Sequence, residues 1–210
     1  MKDIYKSYLK EGPSDSIAFI EYTDDNLDNI LETISAFSNT IGGIMFVGVS
    51  KNGKIKGVNP FETEEFFMTL NETYFKNRID LKFEKVKDRH AFFYILHIKE
   101  IINKPLFFSK GTKKCSYIRC GVENIEAYNI LNQIWKFTAD FKKHSPSSDL
   151  SDDEHLLLSA FKKAGVLSYN KLQTLVDLPI SMFEECLLRL ISNGHVTYSY
   201  DNKSIMFHVG

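Results

Sequence analysis

The sequence contains few cysteines and no long apolar run. It has three cysteines, Cys115, Cys120 and Cys186. This small, odd number argues against a disulfide framework and fits a reducing compartment. No metal-binding C-x-x-C pair accompanies them. No segment approaches the ~20 apolar residues of a membrane-spanning helix, and the N-terminus lacks the apolar stretch of a signal peptide. We therefore expect a cytoplasmic protein without a metal or other cofactor.

The sequence also lacks a surplus of basic residues. Its 26 lysines and arginines are balanced by 27 acidic residues, which gives a net charge of −1. Proteins dedicated to nucleic-acid binding are often strongly basic, so any binding of a polyanion here would depend on a local cluster of cations. Cations do cluster around two predicted turns: Lys51, Lys54 and Lys56 near the first, and Lys104, Lys110, Lys113, Lys114 and Arg119 around the second.

The clearest pattern is a helix followed by a hairpin. Apolar residues at three- and four-residue spacing from Leu27 to Ile41 predict one apolar helix face. Gly42-Gly43 predicts the end of this helix, and the apolar run over residues 44–49 predicts a buried strand. Asn52-Gly53 predicts a tight turn into a returning strand over residues 54–58.

Further elements follow from the same kind of pattern. Strands are predicted over residues 17–22, 81–86, 91–98 and 116–119, and helices over residues 61–77 and 125–141. The strand over residues 91–98 is so apolar that we expect it in the middle of a sheet. The sequence therefore predicts an α+β domain over residues 1–143.

The pattern changes after a polar Ser/Pro stretch at residues 144–150, which we interpret as a linker. Ser151 and Glu154 form a capping box that predicts the start of a helix. Two more helices and two strands are predicted before the C-terminus. Three helices and a two-stranded wing over residues 151–210 resemble a winged helix-turn-helix domain.

Two motifs in the first 140 residues resemble a known family. The first comprises Glu21-Tyr22, the run AFSNTIGG at residues 36–43, and the glycines from Gly48 to Gly57. The second is YIRCG at residues 117–121, with Ala127 beyond it. Together they resemble the AlbA-like domain of Schlafen proteins and of many bacterial transcriptional regulators. The resemblance implies a mixed sheet flanked by helices, and it implies nucleic-acid binding.

The resemblance also bears on catalysis. Schlafen members that act as metal-dependent RNA nucleases have three acidic residues in this region. Glu21 matches one of them, but the other two positions fall on Ser16 and Ser50. A serine hydroxyl does not supply the charge of a carboxylate at a metal site. We therefore expect a protein that is not an enzyme and holds no metal.

The predicted nucleic-acid-binding residues are cations of the two turns and of the wing. They are Lys51, Lys54, Lys56, Lys110, Lys113, Lys114, Arg119 and Lys203. The candidate recognition helix over residues 180–192 offers Ser181, Glu184 and Glu185 and only one basic residue, Arg189. Such a helix would repel phosphates, so it fits dimerisation or protein docking better than DNA reading.

The sequence thus predicts a DNA-binding transcriptional regulator. Schlafen proteins pair two lobes of this kind, so the resemblance implies that a chain with one lobe forms a homodimer. Two alternatives stay open. One is a protein-interaction or dimerisation module without nucleic-acid binding, because lysines in turns are often only solvated surface. The other is a residual metal-dependent RNA nuclease centred on Glu21 and Asp15.

Overall fold

The computed structural model describes residues 3–23, 26–76, 78–141, 149–201 and 204–210. The chain divides into two compact units, Met1–Ala127 and Tyr128–Gly210. Within the described ranges, no helix has the length and apolar character needed to cross a membrane.

The N-terminal unit combines helices and strands. Its helices are α1 (Asp3–Glu11), α2 (Leu27–Asn39) and α3 (Pro60–Leu70), the last continuing into a π-helical turn over Asn71–Phe75. Its strands are β1 (Ile17–Ile20), β2 (Gly43–Val47), β3 (Lys82–Asp88), β4 (Ala91–Ile98), β5 (Phe108–Lys110), β6 (Lys113–Cys115), β7 (Tyr117–Cys120) and β8 (Glu123–Glu126).

Four of these strands form a mixed sheet in the order β1-β2-β4-β3. β1 runs parallel to β2, whereas β4 is antiparallel to both β2 and β3. The parallel pair requires a crossover connection, which α2 provides. The mixed α+β sheet predicted from the sequence is confirmed, and β4 has the interior position that its apolar run predicted.

The sheet is covered on both faces. Successive residues of β2 point to opposite sides, as strand geometry requires. Met45 packs in the cluster that contains Phe37 of α2 and Phe67 of α3. Phe46 packs in the other cluster, with Tyr5 of α1. α2 therefore buries the apolar face predicted for it against the sheet, but the helix ends at Asn39, and Ile41, the last residue of the predicted face, lies beyond it and is 69% exposed.

Two predictions in this unit need correction. The turn at Asn52-Gly53 forms, but residues 54–58 do not form a strand and contribute only a single bridge between Val49 and Ile55. Gly48 and Gly57 have φ angles of +93° and +86°, which interrupt extended geometry on both sides of the turn. The helix predicted from residue 125 begins only at Asn129, because residues 123–126 form β8, paired with β7.

The C-terminal unit contains four helices and three strands in the described residues. The helices are α4 (Asn129–Phe141), α5 (Asp152–Ala164), α6 (Tyr169–Leu175) and α7 (Ile180–Ser192). The strands are β9 (Leu167–Ser168), β10 (Val196–Asp201) and β11 (Ser204–Val209), in the order β10-β11-β9. The capping box forms as predicted, with Ser151 N donating to Glu154 Oε2 at 2.8 Å and Glu154 N donating to Ser151 Oγ at 3.2 Å.

The division of the chain falls earlier than the predicted boundary at residue 143. Helix α4 belongs to the C-terminal unit, where it packs against α7. Leu131 and Ile134 of its apolar face are buried, and Thr138 Oγ1 lies 3.5 Å from Ser192 Oγ of α7. Most of the predicted linker, residues 144–148, lies outside the described residues.

Asn39 at the end of α2 connects three segments through its buried side chain. Its Nδ2 donates to the carbonyl oxygens of Leu106 (3.2 Å) and Tyr117 (3.0 Å), and its Oδ1 accepts from Leu106 N (2.7 Å). The side chain thereby satisfies backbone groups of two segments, of which those of Leu106 are fully buried.

We predict that Asn39→Ala lowers the free energy of unfolding by about 2 to 4 kcal/mol, because it removes the partner of Leu106 N and of the Tyr117 carbonyl oxygen, whereas Leu106 O still accepts from Ser35 Oγ. Urea unfolding of the full chain measures the change. Asn29→Ala, at an exposed position of the same helix, is the control and should change stability by less than ~0.5 kcal/mol. Equal losses in the two variants would contradict the bridging role of Asn39.

Candidate functional site

A cleft of about 1230 Å³ lies along β1 in the N-terminal unit. It is lined by β1, by the turn after β2, by the first turns of α2, by the β7–β8 turn and by Arg119. We call it the lysine cleft. Its residues are Pro13, Ala18, Phe19, Ile20, Glu21, Asn26, Asn29, Glu32, Thr33, Ser50, Lys51, Asn52, Lys54, Lys56, Arg119, Val122, Glu123 and Asn124.

The three lysines of the cleft lie in one short segment, residues 48–57, which we call the lysine turn. Lys56 N and Gly57 N both donate to the Gly48 carbonyl oxygen and so close the segment. Ser50 N donates to the Lys54 carbonyl oxygen at 2.9 Å, and Gly53 N donates to the Ser50 carbonyl oxygen at 2.8 Å. The hydroxyl of Ser50 donates to the same Lys54 oxygen at 3.1 Å. Lys51, Lys54 and Lys56 are all exposed. Internal hydrogen bonds therefore fix the backbone of the turn, while its lysine side chains are exposed to solvent.

Helix α1 packs closely against this turn at Gly53. Gly53 has a φ angle of +79°, and a Cβ atom at this position would collide with the carbonyl oxygen of Leu9. Glycine is therefore required at this position for two reasons, the left-handed backbone and the close approach of α1.

Arg119 lies at the base of the cleft and is only 7% exposed. Its Nη2 donates to the carbonyl oxygens of Ser14 (2.9 Å) and Ile17 (3.1 Å), and its Nε also donates to Ser14 O (3.2 Å). Its Nη1 donates to Asn124 Oδ1 at 2.9 Å. The guanidinium carbon lies 5.2 Å from the centre of the Phe37 ring.

The acceptors of Arg119 are uncharged oxygens, so its positive charge has no hydrogen-bonded carboxylate within the described structure. Burial lowers the pKa of Arg119, and the charge of Asp15 opposes that shift. An arginine stays protonated in proteins, so the base of the cleft is cationic. One of its five N–H groups has no acceptor among the described residues.

The second predicted group of cations is arranged differently. Lys110 Nζ lies 2.9 Å from Asp28 Oδ2 and 3.3 Å from Glu32 Oε1, and the hydrogen bond to Asp28 raises the pKa of Lys110. Its charge is therefore compensated by two carboxylates. Lys113 and Lys114 are exposed on β6 and do not line the cleft.

The structure thus brings together Lys51, Lys54, Lys56 and Arg119, and not the whole predicted set. Lys110 does not line the cleft, although its ion-pair partner Glu32 does. Lys203 lies outside the described residues. Four cations and three carboxylates, those of Glu21, Glu32 and Glu123, line the cleft. The described residues contain no group of three side chains suited to hold a metal ion.

Sequence reasoning overlooked the polar residues of the cleft on α2. Asn26, Asn29, Glu32 and Thr33 recur at helical spacing on the side opposite the apolar stripe. Thr33 Oγ1 accepts from Asn124 Nδ2 at 2.7 Å, which fastens the β7–β8 turn to the helix. The spacing was a usable signal, but it also fits an ordinary solvated helix face.

The match to one family model agrees with the extent of this unit. A model of the family described as Schlafen, AlbA_2 matches residues 11–128, which include every residue of the lysine cleft. Among solved structures, the chain is similar to the crystal structure of the DIP2311 protein from Corynebacterium diphtheriae, with 14% sequence identity and a TM-score of 0.48. That similarity covers 93% of this chain and 34% of the other, so this chain spans about a third of the length of that protein. No curated protein matches the chain.

We predict that Gly53→Ala destabilises the chain more than Gly121→Ala does. Both glycines have positive φ angles, +79° and +57°, so both variants pay the cost of a left-handed alanine, about 1 to 2 kcal/mol. Only Gly53→Ala also forces α1 away from the lysine turn, since nothing lies within 4 Å of a Cβ at Gly121. Urea unfolding of both variants measures the difference. Equal destabilisation would show that α1 does not support the turn.

Proposed function

Because the chain belongs to the Schlafen AlbA_2 family, we propose that it binds nucleic acid through the lysine cleft, without catalytic activity, and regulates transcription by binding DNA. AlbA_2 domains include DNA-binding and nuclease-like members, which makes nucleic acid the first ligand class to consider. The proposal names DNA and regulation as the specific form of that activity.

The observation that supports the proposal most is the convergence of Lys51, Lys54 and Lys56 on one cleft with Arg119 at its base. None of the three lysines forms an ion pair with another described residue, in contrast to Lys110. Lysines of this kind neutralise phosphates and release counterions, which gives affinity that depends on salt and little on sequence. A molecule with a net charge of −1 can bind a polyanion in this way, because the cations are close together.

We propose that the C-terminal unit is a winged helix-turn-helix domain that serves dimerisation. Its order of helices and strands fits that fold. Glu185 on α7 is exposed and acidic, which disfavours contact with phosphates. Leu175, Ile180 and Met182 at the α6–α7 turn are exposed apolar residues, and these suit a protein partner better than a polyanion.

The absence of catalysis is part of the proposal. Glu21 lines the cleft, but the Ser50 hydroxyl is used in the turn, where it contacts Asn52 and Lys54. One carboxylate beside two serines does not form the charged cluster that a divalent cation requires.

We predict that the triple variant Lys51→Ala/Lys54→Ala/Lys56→Ala binds a fluorescein-labelled DNA about a hundredfold more weakly at low salt than the unaltered chain. Each lost phosphate contact should also reduce the slope of log affinity against log salt by about one. Fluorescence anisotropy over a salt series, with duplex and single-stranded DNA, measures both quantities.

The matched control is Lys162→Ala/Lys163→Ala/Lys171→Ala, which removes three exposed lysines from the C-terminal unit. It changes the net charge equally and should leave the affinity within about twofold, since none of these lysines lines the lysine cleft. Equal weakening of DNA binding in the two triple variants would show that affinity depends on net charge and not on the lysine cleft. No binding of either DNA at low salt would favour the alternative of a protein-interaction module.

We also predict that the chain leaves labelled RNA and DNA intact when incubated with manganese or magnesium. Gel analysis over several hours checks this, with Glu21→Gln prepared in parallel. Cleavage that disappears in Glu21→Gln would establish a residual nuclease and overturn the non-enzymatic part of the proposal. Cleavage that persists in the variant would indicate a contaminating nuclease.

A further inference from the structure

A second cavity lies within the C-terminal unit and has a volume of about 400 Å³. The start of α4, the β9–α6 junction, α7 and β11 contribute to it. We call it the Tyr169 cavity. Its residues are Tyr128, Asn129, Ile130, Ser168, Tyr169, Asn170, Glu184, Ser204 and Ile205. The volume is within the range of small-molecule sites.

The lining of this cavity carries a negative charge, whereas a phosphate-binding site carries a positive one. Glu184 is the one charged residue in its lining, and no lysine, arginine or histidine accompanies it there. The sequence had suggested that Glu184 faces solvent on α7, but its side chain is half-buried and lines the cavity. An anionic ligand is therefore disfavoured at this position.

The carboxylate of Glu184 is held in position by a neighbouring tyrosine. The hydroxyl of Tyr169 donates to Glu184 Oε1 at 2.7 Å, and the Tyr169 ring packs edge-to-face against the buried Phe183 at 5.4 Å. Burial, reinforced by the bond to Glu184, raises the pKa of Tyr169, so the phenol stays neutral and keeps its proton. This hydrogen bond occupies Glu184 Oε1 and restrains the carboxylate, so Glu184 Oε2 is held in position as well.

The remaining lining combines apolar surface with uncommitted polar groups. Ile130 and Ile205 are almost fully buried and offer apolar contact. The Tyr128 ring is 39% exposed. Within the described structure, the side chains of Asn129 and Asn170 have no hydrogen-bond partner, so their amide oxygens can accept from a ligand.

We propose that the Tyr169 cavity binds a small organic cation, an amine with an apolar or aromatic body. The ammonium group would pair with the Glu184 carboxylate and donate to the asparagine amide oxygens. The body would lie against Ile130 and Ile205. This site is independent of the lysine cleft, because all its residues belong to the C-terminal unit and its charge is of the other sign.

Isothermal titration calorimetry of the full chain with 2-phenylethylamine and with cadaverine tests the proposal. The neutral 2-phenylethanol is the matched probe, since it keeps the ring and loses the charge. We expect at least one amine to bind with a dissociation constant at or below about 1 mM, and at least about tenfold more tightly than the alcohol.

Two variants separate a specific site from general attraction of cations. Glu184→Gln keeps the size of the side chain and its acceptor for Tyr169, and should weaken amine binding about tenfold or more. Glu185→Gln, at the neighbouring exposed position of α7, removes the same charge and should leave binding unchanged. Thermal unfolding of both variants verifies that they fold.

Three results would overturn the proposal: no heat from either amine up to about 10 mM, equal binding of amine and alcohol, or equal affinity of Glu184→Gln and the unaltered chain. None of these results bears on DNA binding, which the lysine variants test separately. Conversely, failure of DNA binding would leave the amine site unaffected.

Discussion

The hydrogen bonds of Arg119 are the interaction on which the N-terminal unit most depends. They connect β7 to the carbonyl oxygens of Ser14 and Ile17, on and just before the edge strand β1, and to Asn124 in the following turn. A buried cation with only uncharged hydrogen-bond acceptors is costly, and the charge of Asp15 offsets only part of that cost. The same residue therefore closes the fold at β1 and makes the base of the lysine cleft positive.

Much of the fold could be predicted because its signals are local. The helix before Gly42, the apolar strand at residues 44–49 and the capping box at Ser151 each follow from spacing or from one pair of residues. The position of α4 could not be predicted in this way. Its apolar stripe shows that it packs against something, but not that the partner is α7 rather than the sheet. The returning strand after Gly53 failed for a related reason, since the positive φ angles of Gly48 and Gly57 depend on packing that the turn signal does not contain.

The candidate site was predicted in part for the same reason. Sequence proximity grouped Lys110 with Lys113, Lys114 and Arg119, yet the fold separates their roles. Lys110 meets Asp28 and Glu32, which precede it by some eighty residues and could not be identified as its partners without the structure. Arg119 was selected as a surface cation but is buried, and the family motif in which it lies gave no indication that its partners are backbone carbonyls. Lys51, Lys54 and Lys56 were predicted correctly as neighbours because a single short turn contains them.

The position of the lysine cleft follows from the parallel pairing of β1 and β2. Parallel strands have their carboxyl ends at the same edge of the sheet, and binding sites in sheets of this kind tend to form beyond those ends. Here α2 begins shortly after the carboxyl end of β1, and the lysine turn follows the carboxyl end of β2. The first turn of α2, with Asn26 and Asn29 in the cleft, contributes the positive end of a helix dipole next to the lysines. Three positive contributions of different origin therefore meet at one edge: exposed ammonium groups, a buried guanidinium and a helix terminus. They lie beside the carboxylates of Glu21, Glu32 and Glu123. The crossover connection makes this meeting a consequence of topology, so cations can be grouped locally in a chain without net positive charge.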